Sequence, residues 1–227
     1  MIGRPGLRHS RASGNCRYNA EPTPSDPCRN LYSAATTRLL DRAAEVFIDH
    51  GYATLTMAQL GELCGLQRRA LYYHFHSKED MFRAVLRVRN AHYQALADRV
   101  AAQALERDDS IEQVIGHWLD TRYGEFRRRL LVSPHAAELN TMAFAVGLDI
   151  MLDVARETNL KLQTLIAALV AQKRLRLRPG MTAERAAQMI SDAARGVNQA
   201  RPAIPADELA ARYYAITEAL LFGCALR

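Results

Sequence analysis

The sequence lacks the features that mark a secreted, membrane or metal-stapled protein. Its cysteines are few and scattered, with no CxxC pair and no neighbouring pair of histidines, so we expect neither a disulfide framework nor a zinc site. The N-terminal residues contain no apolar segment typical of a signal peptide. The longest apolar run, residues 142–152, is interrupted by Asp149 and is too short to span a bilayer. We therefore expect a soluble, cytoplasmic protein with no membrane partner. The four cysteines are Cys16, Cys28, Cys64 and Cys224.

Glycine and proline are sparse after residue 30, and runs of β-branched residues are almost absent, while alanine and leucine are abundant. This composition predicts an all-α protein. The net charge of +6 permits a polyanionic partner without requiring one. The excess does not come from residues 33–80, which carry five lysines and arginines against six acidic residues. If this segment binds nucleic acid, a few lysine and arginine side chains at specific positions must make the contacts.

Breaks in the helical pattern divide the chain into three parts. Residues 1–32 are rich in arginine, glycine, proline and serine, which fits a disordered tail, extra sequence upstream of the true start, or a basic arm in a DNA groove. Residues 33–80 predict a domain of short helices. Residues 81–227 predict about five amphipathic helices that form a larger helical domain.

Local signals fix the short helices of residues 33–80. A helix with an apolar stripe begins near Ser33 and should end at Gly51. Thr56 is followed three residues later by Gln59, the spacing of a capping box at the start of a second helix. Gly65 breaks that helix, a third runs from about 67 to 74, and Ser77 caps a fourth, with Asp80 at the capping-box position.

The third helix has two unlike sides on a helical wheel. Leu71 and Phe75 anchor one side, which Ala70 and His74 share. The other side presents two guanidinium groups interleaved with two phenols, from Arg68, Arg69, Tyr72 and Tyr73. Guanidinium groups bind guanine edges or phosphates, and tyrosine hydroxyls reach phosphate oxygens. This pattern suits the second helix of a helix-turn-helix, although the same stretch could be a solvated amphipathic helix.

The wider segment HGYATLTMAQLGELCGLQRRALYYHFHSKEDMFRAVL, residues 50–86, resembles the N-terminal DNA-binding domain of the TetR/AcrR family of transcriptional regulators. The resemblance covers roughly residues 34–85. The features that carry it occur in the family's order, which makes the set specific. They are Gly51-Tyr52, the capping Thr56, Gly65-Leu66, Leu71-Tyr72-x-His74-Phe75 and Ser77-Lys78-Glu79.

The resemblance implies a role for each matching residue. Thr56 would touch a phosphate, Arg68 and Arg69 would face base edges, and Lys78 would meet a phosphate at the start of the fourth helix. Tyr72 and His74 would contact the DNA backbone, and Tyr73 could reach a sugar or phosphate. The sequence departs from the family at Gln67, where a capping Ser or Thr is usual, at Arg69, where Gly is common, and at Gly61, where Ala is usual. The operator of a relative is therefore not transferable.

The resemblance also implies an all-α ligand-binding and dimerisation domain in residues 81–227. The last two helices carry apolar stripes that could form a four-helix bundle in a homodimer, or pack into the protomer core. For this interface we predict Met189, Ile190, Leu209, Tyr213, Ile216 and Leu220. A pocket for a small-molecule effector should lie within residues 111–170. For its lining we predict His117, Trp118, Tyr123, Phe144 and Met151.

The prediction is a sequence-specific DNA-binding regulator, interpreted as a repressor, that a small molecule releases from a palindromic operator in double-stranded DNA. We expect no catalytic residue, metal or cofactor, because no nucleophile elbow, P-loop or Rossmann glycine pattern is present. Two alternatives stay open. One is a protein-interaction adaptor that has lost DNA binding. The other is a helical-bundle metalloenzyme that uses the carboxylate line of Asp149, Asp153 and Glu157.

Overall fold

A computed structural model of the protein describes residues 32–226 and is almost wholly helical there, which confirms the all-α prediction. The predictions made for residues 1–31 lie outside the described residues. Helices and strands follow in chain order. They are α1 Ala34–His50, α2 Met57–Leu63, α3 Arg68–His74, α4 Lys78–Glu106, α5 Ile111–Leu119, a π-helical turn Asp120–Gly124, α6 Glu125–Leu131, α7 Ala136–Ala171, β1 Arg176–Leu177, α8 Ala183–Gln199, α9 Leu209–Cys224 and β2 Ala225–Leu226.

Capping residues set the ends of the first helices, as the sequence predicts. The Thr56 hydroxyl accepts from the Gln59 backbone N–H while the Gln59 side chain accepts from the Thr56 N–H, so the capping box at α2 is complete. The Ser77 hydroxyl accepts from Asp80 N–H at the start of α4, but the Asp80 carboxylate accepts from His76 N–H, one residue before the cap. Gly65 has φ +74°, a conformation that side-chain-bearing residues rarely adopt, and it turns the chain from α2 into α3.

Two clusters of buried residues form the interior, and α4 contributes to both. Its first turns, including Met81 and Phe82, pack with α1, α2 and α3. Its last turns, including Ala101, pack with α5, α7, α8 and α9. Because a 29-residue helix runs through both clusters, a displacement of its C-terminal half can be transmitted to the helix-turn-helix.

The π-helical turn interrupts what would otherwise be one helix from α5 to α6. The Glu125 N–H donates to the Asp120 carbonyl five residues back, so one extra residue is accommodated in this turn. α7 is bent at Gly147, whose φ of −132° is not helical. A Cβ at Gly147 would lie 2.6 Å from Leu86 Cδ1, so the bend brings α7 close against α4.

Three of the six residues predicted for the dimer interface are buried inside the protomer, and the interface itself stays a prediction. Ile190, Leu209 and Tyr213 are completely or almost completely buried within the protomer, and the Tyr213 hydroxyl donates to Asn198 Oδ1 at 2.8 Å. Ile216 and Leu220 are half-buried against the same cluster. The apolar stripe of α9 faces its own bundle because α9 must cover α5 and α8.

Met189 is the one predicted interface residue that stays exposed, at 38%. The two short strands β1 and β2 pair antiparallel, with Arg176 opposite Leu226. Across residues 32–226, no helix is both long and apolar enough to cross a bilayer.

Candidate functional site

The outer face of α3 presents a cluster of exposed side chains on a firmly anchored helix. Leu71 and Phe75 are 0% and 2% exposed and attach α3 to the first core cluster. Tyr73 is 86% exposed, and Tyr72 is partly exposed. The predicted division into an anchored side and an outer side is therefore confirmed for these four residues.

Ala70 and His74 correct that division. Both are exposed, although the helical wheel places them with Leu71 and Phe75. Within α3 only Leu71 is buried, and the second anchor, Phe75, follows the helix directly. His74 packs edge-on against Tyr73, with 5.4 Å between ring centroids, and so joins the exposed cluster.

Arg68 and Arg69 both point away from the core, and neither forms an ion pair with any residue in the described range. The Arg68 guanidinium carbon lies 5.4 Å from the centroid of the Tyr72 ring, a distance at which the ring restricts the arginine side chain. An exposed arginine stays hydrated without a partner, so both guanidinium groups remain available to an external anion.

The start of α3 lacks a side-chain cap, as the sequence predicts. Gln67 has φ −65° and ψ 147°, the extended conformation of an N-cap residue, but its side chain makes no capping hydrogen bond. The first backbone N–H groups of α3 therefore remain without intrahelical partners. They lie beside Arg68 and Arg69 and add positive potential to the same surface.

Thr56 lies at the exposed N-terminus of α2. Its hydroxyl also donates to Gln59 Oε1 at 2.9 Å, so the cap occupies its hydrogen-bonding capacity in this state. The backbone N–H groups of the first turn remain the donors that a phosphate would meet there.

Lys78 makes contacts that the family resemblance does not imply. Its ammonium donates to three backbone carbonyls of the segment between α1 and α2, those of Tyr52 at 2.8 Å, Ala53 at 3.3 Å and Leu55 at 2.7 Å. Its Nζ also lies 4.4 Å from the centroid of the Tyr52 ring. Burial lowers the pKa of Lys78, an effect that the charge of Glu138 opposes. Because an ammonium has three donors, Lys78 is fully occupied in holding this loop to α4.

A cavity of about 790 Å³ lies between α1, α4, the π-helical turn, α6, α7 and the end of α8. Its volume is in the range that accommodates a drug-sized ligand. Phe47 and Ile48 of α1 and Phe82 of α4 form part of the wall. The cavity therefore touches the same helices that form the core of the helix-turn-helix.

Three of the five residues predicted for the pocket line this cavity, namely Tyr123, Phe144 and Met151. The other two lie elsewhere. Trp118 is 1% exposed in the second core cluster, where its Nε1 donates to Asp98 Oδ1 at 3.0 Å. The His117 ring packs edge-on against Tyr214, and its buried Nδ1 has no hydrogen-bond partner in the described part of the chain. Both residues belong to α5, which packs against α9 rather than along the cavity.

The arginines of the cavity were not among the residues predicted from the sequence. Four arginines line it, and none of its lining residues is an aspartate or glutamate. Arg89 lies 3.4 Å from Asp41, and Arg195 pairs with Asp192. The remaining two, Arg122 and Arg127, form no ion pair with a described residue. Burial lowers the pKa of both.

Two of the three carboxylates in the line on α7, Asp149 and Asp153, form ion pairs. Asp149 forms a bidentate pair with Arg83 of α4, with oxygen–nitrogen distances of 2.8 and 2.6 Å, and this contact lowers the pKa of Asp149 to about 2. Asp153 pairs with Arg156. Within residues 32–226, no group of three or more potential ligands could hold a metal ion.

Polar contacts also connect α6 and α7 to the helix-turn-helix. The Ser133 hydroxyl donates to the Ile48 carbonyl at 2.5 Å. The Glu138 carboxylate accepts from the backbone N–H groups of Tyr52 at 3.0 Å and Ala53 at 2.5 Å. The loop whose carbonyls bind Lys78 is thus held through its N–H groups by the first turn of α7.

Comparison with known proteins identifies the N-terminal part. Residues 39–85 match the model of the tetR family of bacterial regulatory proteins. This segment is therefore similar to the N-terminal part of that family. The HTH-type transcriptional repressor Rv1474c of Mycobacterium tuberculosis is 30% identical over 45% of this chain and 54% of its own length. The HTH-type transcriptional repressor ComR of Escherichia coli is 33% identical over 35% of this chain and 36% of its own length.

The chain thus spans between about a third and about a half of the length of these two curated relatives. Similarity in fold extends further. The structure of SmeT of Stenotrophomonas maltophilia in complex with triclosan superposes with a TM-score of 0.60, at 17% identity, over 84% of this chain and 92% of SmeT. At this identity the superposition establishes the shared fold of the helical C-terminal region.

Proposed function

We propose that the protein is a sequence-specific DNA-binding transcriptional repressor that a small molecule releases from its operator. The observation that supports DNA binding is the outer face of α3, where Arg68 and Arg69 are exposed, free of carboxylates and flanked by exposed tyrosines. A helix of this composition behind a tight glycine turn enters the major groove and reads base edges with its N-terminal residues. In this proposal Tyr72, Tyr73 and His74 contact the DNA backbone.

Rv1474c and ComR support repression, since both are named as repressors. The cavity supports control by an effector, and SmeT, which shares the fold, has been solved with triclosan. We take residues 33–80 as the DNA-binding domain and residues 81–227 as the effector domain. The cavity lies on the junction between them.

The contacts at that junction supply a physical route for release. A ligand in the cavity would lie against α1, α4 and α7. The Arg83–Asp149 pair joins α4 to α7, and the Glu138 carboxylate of α7 binds the loop that precedes α2. If ligand binding favours a different setting of α7 against α4, it changes the position of α3 through these contacts. A ligand with equal affinity for both settings would release nothing.

Two half-sites one helical turn apart require two copies of α3 in a fixed relation, so we propose a homodimer. The buried stripe of α9 is occupied within the protomer, which leaves the outer faces of α8 and α9 for a second chain. Met189 on α8 and Ala211, Ala215 and Ala219 on α9 are exposed there. Light scattering of the wild type and of Ala215→Arg tests this surface, and an unchanged mass for the variant would contradict it.

Footprinting on the DNA upstream of the protein's own coding sequence, at two salt concentrations, tests DNA binding. We expect a protected inverted repeat that persists at the higher salt. Binding that disappears with salt and leaves no footprint would be counterion-driven association only. Together with a partner protein that binds the α3 face, that result would favour the adaptor.

A further inference from the structure

The interior of the cavity holds a positive charge that no residue of the described chain neutralises. Arg122 is 5% exposed. Its Nε donates to Gln94 Oε1 at 3.1 Å, and its Nη2 donates to Asn90 Oδ1 at 3.2 Å and Thr158 Oγ1 at 3.0 Å. All of these acceptors are neutral, and Nη1 donates to no acceptor among residues 32–226.

The two carboxylates whose charges act on Arg122 do not form an ion pair with it. Asp98 and Glu157 act on it only from beyond ion-pair distance. Asp98 accepts from Trp118 and Gln94 and lies 3.4 Å from Lys161. Taking a guanidinium out of water is costly unless an anion accompanies it, so a buried charge without a counter-ion indicates a missing anionic partner.

The π-helical turn brings a second arginine toward the same wall. With one extra residue in the turn, a residue five positions along takes the place that the fourth position has in an α-helix. Arg127 therefore follows Arg122 along one side of this segment, and both line the cavity. The polar groups of Asn90 and Thr158 keep Arg122 oriented, which fixes the direction from which an anion can approach.

Most of the remaining wall is apolar. Phe47, Phe82, Phe126, Leu139 and Met151 contribute to it, and together with the volume of about 790 Å³ they suit a large apolar body. A single deeply buried guanidinium matches a single negative charge. Arg127 is only half-buried and therefore can keep water as its partner.

We infer that the cavity binds an apolar carboxylate, with the carboxylate on Arg122 and Arg127 and the apolar body among the aromatic and leucine side chains. A carboxylate matches the fork of a guanidinium with two parallel hydrogen bonds. It carries one charge, whereas a phosphate monoester carries up to two and requires more desolvation. The inference rests on the proposed function only in taking this cavity to be the effector site.

Calorimetry without DNA tests the inference with two matched pairs of probes, dodecanoate with dodecanamide and 2-naphthoate with 2-naphthamide. In the wild type at least one acid should bind about ten- to hundredfold more tightly than its amide, because hydrogen bonds to charged groups exceed those to neutral ones. This preference should disappear in Arg122→Met. It should persist in Arg156→Met, a matched change at an exposed arginine outside the cavity.

Thermal unfolding of each apo variant shows whether Arg122→Met is folded. If it is not, Arg127→Met carries the test, with a reduced preference expected. Equal binding of acids and amides, binding of neither acid, a preference that persists in both cavity variants, or tighter binding of dodecyl phosphate than of dodecanoate would each overturn the inference. Because the calorimetry contains no DNA, its outcome is independent of the footprint. A preference for carboxylates without a footprint would support the inference and contradict the proposed repressor. A footprint without that preference would support DNA binding and contradict the inference.

Discussion

Within residues 32–226, two pairs of arginines that form no ion pair differ in their surroundings, one pair on an exposed helix and the other in the wall of a cavity. Arg68 and Arg69 lie on the exposed face of α3, where water solvates each guanidinium. Arg122 and Arg127 line the cavity, and burial lowers the pKa of both. An unpaired arginine at the surface carries little desolvation cost, and it stabilises the protein only when a partner binds. An unpaired arginine in the interior already carries a desolvation cost in the apo protein.

The difference indicates different partners. A DNA duplex presents a row of phosphates and base edges, so its contacts with the surface pair should weaken with salt. A ligand enclosed by apolar walls is shielded from salt and should be selected by its charge and shape. Substitutions at the two pairs test this separation between a surface that binds DNA and a cavity that binds a small anion.

The largest effect is expected from the surface pair. Arg68→Ala and Arg69→Ala should each weaken specific DNA binding by about 1–3 kcal/mol if the guanidinium groups contact bases. Arg127→Met should leave the affinity of the apo protein for the same DNA unchanged. Fluorescence anisotropy with the footprinted duplex measures all three. An equal loss in Arg127→Met would contradict the separation of the two pairs.

Lys78→Met should act on stability rather than on the DNA contact. It removes three hydrogen bonds to the carbonyls before α2, and we expect the free energy of unfolding to fall by about 2 kcal/mol. The slope of log affinity against log salt should not change. Denaturant unfolding and salt titration test the two statements, with Lys173→Met as the control at an exposed lysine. A slope shallower by about 1 would instead assign Lys78 to a phosphate, as the family resemblance implies.

Glu138→Gln should weaken the contact between α7 and the loop that precedes α2. The amide keeps the shape of the side chain but loses the charge that binds the N–H groups of Tyr52 and Ala53, and we expect a loss of about 1–2 kcal/mol in unfolding free energy. Hydrogen exchange should speed up at these two amides. Glu218→Gln, an exposed carboxylate on α9, is the matched control. Unchanged exchange at Tyr52 and Ala53 would show that the link does not hold the loop.

Gln67→Ser should give the smallest effect, and a gain. Gln67 already has the backbone conformation of an N-cap residue, so a serine hydroxyl can accept from the first turn of α3 without rearrangement. We expect the free energy of unfolding to rise by about 0.5–1 kcal/mol, measured by thermal melting. Gln67→Ala, which also removes the long side chain but adds no acceptor, separates the cap from the loss of bulk. Equal stability of the two variants would contradict the capping account.

The elements that could be predicted from the sequence are those determined within a few residues. The caps at Thr56 and Ser77 and the turn at Gly65 depend on groups three or four positions apart. The exposed face of α3 follows from a period of 3.6 residues anchored by Leu71 and Phe75. Such signals are local and therefore readable.

The elements that were missed depend on contacts between distant segments. The carbonyls that bind Lys78 lie 23 to 26 residues before it, and Arg122 finds Gln94 28 residues away. The apolar stripe of α9 indicates that some partner covers it, but not whether that partner belongs to the same chain. The π-helical turn, which turns Arg122 toward the cavity and leaves Trp118 in the core, had no readable sequence signal.

Selection of duplexes from a random library, with the wild type and with Arg68→Ala/Arg69→Ala in parallel, tests whether the outer face of α3 recognises a DNA sequence. Because the library contains every short sequence, the result does not depend on where the operator lies in the genome. The account predicts that the wild type enriches an inverted repeat, with half-sites about one helical turn apart, and that the double variant does not. Enrichment of no motif by the wild type, or of the same motif by both proteins, would contradict it.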